Sequence, residues 1–194
     1  MPFDRSSPTP AIPIPDDLLH DLLVAIRRQY RLHWTGIHGA SHWARVLENG
    51  LRLAADTGAD TEVVAWFALF HDACRLNDHH DPRHGARGAA LAAELLRPHL
   101  DGRHDQLHLL IQACTLHTSG QVRDFDATVL TCWDADRLDL LRAGITPVPD
   151  KLCTDAARNP SVIAWASDRA VRDHVPPFAR TGGWVDRRSG GSGA

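Results

Sequence analysis

The stretch Val63-Val64-Ala65-Trp66-Phe67-Ala68-Leu69-Phe70-His71-Asp72-Ala73-Cys74 decides the fold. It is apolar on every side, which as a helix requires burial all round, and it then runs into an imidazole and a carboxylate. On the helical repeat His71 shares a stripe with Val64, Phe67 and Ala68, and Asp72 shares one with Ala65, Ala68 and Leu69. A carboxylate buried among such residues is too costly to keep ionised alone, so it must be hydrogen-bonded, paired or bound to a cation. The doublet reads as two adjacent ligands of one divalent ion, and the rest of the chain as the source of the others.

Outward from this helix the chain reads as all-α. Asp16 or Asp17 caps a helix over 17–32 that carries Leu18, Leu19, Leu22, Leu23 and Ile26 inward. Ser41 opens a second helix to about 55, with Trp43, Val46, Leu47, Gly50, Leu51 and Ala54 on one face, His42 at its edge and Arg45 one turn on. Asp60 or Thr61 starts the buried helix. After the polar loop 75–80, Asp81-Pro82 is a helix start that places His84 in the first turn, aligned with Arg87, Gly88, Leu91 and Leu95. A helix over 104–118 aligns Leu110, Ala113, Cys114 and His117. One over 126–142 aligns Leu130, Asp134, Leu138 and Leu141, with Asp136 nearer Val129, Cys132, Trp133 and Leu140. A last, weaker helix spans 161–173. Residues 1–15, with five prolines, read as a flexible arm, 16–175 as one helical domain of six to seven helices, and 176–194 as a mobile tail.

Composition narrows the function classes. A chain of 194 residues is long enough for one well-packed core, and a net charge of −3 gives no reason to expect nucleic acid or an acidic membrane surface as partner. No apolar run reaches the length of a bilayer span, and the N-terminus lacks the basic and apolar regions of a secretory signal. Cys74, Cys114, Cys132 and Cys153 form no C-x-x-C pair, which reads as reduced and cytoplasmic. The thirteen histidines are the anomaly, since they are dispersed rather than a tag.

Six inward polar residues interrupt these stripes: His42, His71, Asp72, His84, His117 and Asp134. Taken singly, each is more simply a satisfied core histidine or a capping aspartate. Together they need mutual compensation, and imidazole with carboxylate is a ligand set for divalent ions held inside a helix bundle. The ordered segments His38-Gly-Ala-Ser-His42-Trp-Ala-Arg45-Val46, His71-Asp72, His117 and Asp134-Ala-Asp136-Arg137-Leu138-Asp139 resemble the HD-domain superfamily of metal-dependent phosphohydrolases, over roughly residues 34–146. The resemblance implies an all-α bundle and a minimal metal site of His42, His71, Asp72 and Asp134. It also implies that His84 and His117 serve a second metal or contact phosphate.

One departure stands out. Several relatives have a catalytic Glu three residues after the doublet, where this chain has Arg75; Asp78 is the nearest acidic substitute. In the implied reaction one divalent ion or two (Mn, Fe, Co, Ni, Zn or Mg) assist hydrolysis of a small phosphorylated substrate, a nucleotide among the candidates. Asp72 serves as ligand and as orienter of water. Arg45, Arg75 and Arg87 are the cations for the phosphoryl charge, each equally readable as a surface residue, and His38 positions His42 or touches substrate. Asp136 and Asp139 read as structural. Two other readings stay open at this level: a di-iron oxygenase of HD type, and a non-catalytic module whose metal holds the bundle together.

Overall fold

Asp60 begins the central helix by capping it. Its carboxylate accepts from the backbone N–H of Glu62 and Val63 at 2.9 and 3.1 Å, satisfying donors that a helix start leaves free. In the computed structural model, which describes residues 11–185, this helix is α3, Thr61–Phe70, and every residue from Val63 to Phe70 is buried. It ends where the unbroken apolar run ends. The chain leaves it at His71, and the doublet lies in the following turn, closed by Ala73 N–H on the Phe70 carbonyl at 3.2 Å.

Around α3 the other elements are α1 (Asp16–Gln29), α2 (Ala40–Thr57), α4 (His84–Leu96), α5 (His104–Leu116), α6 (Ala127–Arg137), α7 (Asp155–Arg158), α8 (Pro160–Val171) and α9 (Pro177–Thr181). The described residues contain no strand, so the expected all-α bundle is what forms, with two short helices, α7 and α9, beyond the expected set. α3 packs against α2, α4, α5 and α6, and α4 lies along α5. Trp43, Trp66, Phe67, Phe70 and Trp133 fill the main core; a smaller cluster of Leu53, Leu138, Leu152, Ala157, Val162 and Ala166 seats α8. No helix of the described residues is long and apolar enough to cross a membrane.

Glycine sets two of the approaches that matter for the site. A Cβ at Gly88 would lie 2.2 Å from the Phe70 carbonyl oxygen, and one at Gly85 would lie 2.1 Å from that of Cys114. Without a side chain at these two positions α4 rests directly on the ends of α3 and α5, which brings His84 beside the doublet and beside His117.

Three boundaries differ from expectation. The helix expected over 126–142 stops at Arg137; a 3-10 turn, Leu140–Ala143, follows and ends at Gly144, whose φ of 78° suits a residue without a Cβ. α4 starts at His84 rather than at Asp81-Pro82, because residues 82–83 form a turn that lets the Asp81 carbonyl face the imidazole of His84. The tail is the third difference. Residues 176–185 are not loose: α9 forms, Trp184 is fully buried, and its carbonyl accepts from Trp34 Nε1 at 2.6 Å. Composition misled there, since one large aromatic outweighs the Gly and Arg around it. Residues 186–194 of the expected tail and 1–10 of the expected arm lie outside the described residues; Ile14, at the arm's end, is buried. Truncating Trp184 to Ala should therefore destabilise the fold by about 3–5 kcal/mol in urea unfolding, against no measurable change if the segment were a free tail.

Candidate metal centre

Four imidazoles meet around one carboxylate, each supplied by the end or first turn of a helix. His42 comes from the first turn of α2, His71 follows α3, His84 opens α4 and His117 closes α5; all four are buried. In each ring Nδ1 faces an acceptor. For His71 it is the Phe67 carbonyl at 3.1 Å, for His117 the Cys114 carbonyl at 2.7 Å, and for His84 the Asp81 carbonyl. For His42 it is Asp139 Oδ2 at 2.7 Å. A carbonyl only accepts, so Nδ1 of these rings carries the proton and Nε2 of the neutral ring is a lone pair.

Those lone pairs point at one another. His42 Nε2 is 3.1 Å from His71 Nε2, and His84 Nε2 is 2.9 Å from His117 Nε2. Two lone pairs at this distance repel unless a proton or a metal ion lies between them. Asp72 sits between the pairs and gives each one oxygen: Oδ2 is 3.8 and 3.9 Å from Nε2 of His42 and His71, and Oδ1 is 3.1 and 3.9 Å from Nε2 of His84 and His117. His42–His71–Asp72 and Asp72–His84–His117 are thus two triads, each able to hold a metal ion. In each triad the point equidistant from the three atoms is about 2 Å from all of them, the length of a Zn–N or Mg–O bond.

The electrostatics favour a cation as well. Burial opposes charge on Asp72, but His71 beside it and the hydrogen bond from His38 hold its carboxyl well below the usual range. Burial, then Arg142 and His71, push His42 well below the usual imidazole value; burial, then His71, brings His117 down to about 4. These rings are kept neutral, the form in which they coordinate.

The further carboxylate beside the first triad is Asp136, and the expected Asp134 lies elsewhere. Asp134 is buried, but its carboxylate accepts from Cys153 N, Thr154 N and Thr154 Oγ1 at 2.7, 2.8 and 2.8 Å and so holds the loop before α7. Asp136, read from sequence as structural, has Oδ1 at 3.4 Å from His42 Nε2 and 3.9 Å from His71 Nε2. Burial opposes its ionisation, yet His71, His42 and Arg142 lower its pKa overall. A sequence signal existed: the residues nearest Asp136 on the helix, Val129, Cys132 and Trp133, are all fully buried. Asp139, also read as structural, fixes His42 by accepting from its Nδ1, and is itself held by Arg45 Nε at 2.7 Å.

The expected phosphate-binding arginines are engaged elsewhere. Arg45 stands behind His42, bonded to Asp139, to Asp173 Oδ1 at 2.8 Å and to the His174 carbonyl at 3.2 Å. Arg87 closes the loop after the doublet, from the Cys74 carbonyl to Asp81, and does not reach the histidines. Arg75 does reach them, with Nη1 at 3.3 Å from Asp72 Oδ1 and 3.2 Å from His84 Nε2. Its bonds to the Asn77 and His79 carbonyls bring the N–H groups in use to four of five, so its capacity for a substrate is small. His38 donates from Nδ1 to Asp72 Oδ2 at 2.7 Å. Asp78 is exposed, and its backbone carbonyl, 3.3 Å from His38 Nε2, is what faces the site. Arg142, not singled out from sequence, has Nη1 4.0 Å from Asp136 Oδ1.

Comparison of the chain with protein-family models, curated proteins and solved structures finds no match. The assignment of ligands therefore rests on this geometry, and it separates two aspartates cleanly. Asp136→Asn should weaken metal binding by about 10-fold or more, whereas Asp134→Asn should leave metal content unchanged and lower the unfolding midpoint. Elemental analysis beside a urea melt reads both; a loss of metal confined to the Asp134 variant would reverse the assignment.

Proposed function

We propose that this chain is a metal-dependent phosphohydrolase of the HD superfamily, acting on a phosphomonoester, a nucleotide or a related phosphoester. The observation that carries the reading is the opposition of imidazole lone pairs on either side of Asp72, supported by the order of the segments H-x-x-R-V, H-D and D-A-D-R-L-D along the chain. His42, His71, Asp72 and Asp136 would hold one divalent ion; Asp72, His84 and His117 are the residues for a second. A divalent ion so held acidifies a water molecule and polarises a phosphoryl oxygen.

The remaining groups act through placement. Asp139 and three backbone carbonyls fix the rings before any substrate arrives, so little reorganisation is left for the reaction. His38 and Asp136 are the more exposed polar members, with 11 % and 14 % of their side chains accessible, so a phosphate enters on their side. His38 stands at that entrance, and by donating from Nδ1 to Asp72 Oδ2 it fixes the carboxylate that both ions would share. The Arg142 guanidinium next to Asp136 offers positive charge to the phosphoryl oxygens.

The division of four histidines into two triads by a shared carboxylate also suits a pair of irons, and this favours the oxygenase of HD type as the second reading. A Mössbauer spectrum of iron-loaded protein, taken beside a phosphatase screen, separates the two. For the hydrolase, the test is phosphate release from p-nitrophenyl phosphate and a nucleotide panel with added Mn²⁺. His71→Ala and Asp72→Ala should each lower turnover by about 100-fold or more and reduce metal content. Full activity with wild-type metal content in either variant would refute the proposal.

A further inference from the structure

The two triads are not equivalent, and Arg75 is the reason. The first faces two carboxylates, Asp72 and Asp136, around His42 and His71. The second shares only Asp72 and has a guanidinium within 3.3 Å of Asp72 Oδ1 and 3.2 Å of His84 Nε2. His84 has its one proton on Nδ1, facing the Asp81 carbonyl, so Nε2 offers a single lone pair. That lone pair can accept from Arg75 Nη1 or bind an ion, not both. Arg75 is also no passing surface cation. It is buried, its Nε and Nη2 are tied to the Asn77 and His79 carbonyls at 3.3 and 2.7 Å, and the loop carrying those carbonyls is closed by Arg87 on Asp81.

We infer that Arg75 is a built-in competitor for the second cation: the chain holds one divalent ion tightly at His42, His71, Asp72 and Asp136, and a second only weakly at Asp72, His84 and His117. The inference rests on the metal-centre reading above and adds an order of affinity to it. The guanidinium answers two of the three atoms of the second triad, Asp72 Oδ1 and His84 Nε2, and leaves His117 Nε2 without it. The second site is therefore weakened rather than abolished. A positive charge fixed this close to a divalent ion in a buried site costs far more than the same charge in water. The consequence for hydrolysis is that the positive charge on the His84 side comes from the protein itself when the second ion is absent.

The experiment is a titration of Mn²⁺ into metal-free full-length protein, with free Mn²⁺ read by EPR. The wild type should bind one tight equivalent and a second weaker on the order of tenfold or more. Arg75→Met keeps the length of the stem and removes the charge; it should tighten the second equivalent by about tenfold or more and leave the first unchanged. His84→Ala is the independent arm should the Arg75 variant not fold: the tight equivalent stays and the weak one disappears. Two equivalents of equal affinity in the wild type, or superimposable curves for wild type and Arg75→Met, overturn the inference and leave the metal-centre reading standing. Loss of the tight equivalent in His84→Ala also overturns it. No bound Mn²⁺ in the wild type overturns both.

Discussion

Imidazole lone pairs held face to face inside a protein are unstable by themselves, and this chain holds two such pairs around one buried carboxylate. Neutral rings opposed at about hydrogen-bond distance, with their only protons turned to other acceptors, repel and lose hydration at once. A cation resolves both penalties. The helices that supply the rings, the carbonyls that fix their tautomers, and the buried Arg45–Asp139 pair behind His42 all serve to keep this arrangement from relaxing.

The bundle is what makes that possible. Carbonyls in the last turn of a helix have accepting capacity to spare, and His71 and His117 each lodge Nδ1 on one in their own helix, four and three residues back; that of Phe67 also accepts the His71 backbone N–H at 3.0 Å. His84 uses the same device with the carbonyl just before α4. The site thus lies where helices begin and end, and its precision depends on how closely they approach. Gly85 and Gly88 set that approach for α4; any side chain there would push His84 away from both Asp72 and His117. The smaller core and the Asp134 clasp on Thr154 position α7 and α8.

Much of this was legible in the residues. The uniformly apolar run before His71-Asp72 required a buried helix, and the capping Asp60 marked its start. The inward positions of His42, His84 and His117 followed from helical periodicity, because in a helix a residue's direction is set by its number. What periodicity lacks is the identity of the neighbour. Asp134 was correctly read as core-facing, but the backbone that receives it arrives from Cys153 and Thr154, through a loop whose course no local pattern encodes. Asp136 and Asp139 were visible as carboxylates, and their roles were decided by α2 and the doublet, remote in sequence. Arg45 and Arg87, expected near phosphate, are bonded elsewhere for the same reason, since an exposed-looking arginine is claimed by whichever carboxylate or carbonyl the tertiary fold brings near. In the tail, the single residue Trp184 decided what composition over many residues suggested otherwise.

The most direct measurement is anomalous diffraction at the manganese edge from a crystal of the metal-loaded protein. The expected result is a peak bonded to His42 Nε2, His71 Nε2, Asp72 Oδ2 and Asp136. Density that is flat there, with His42 and His71 rotated so that their Nε2 atoms no longer face each other, would contradict it.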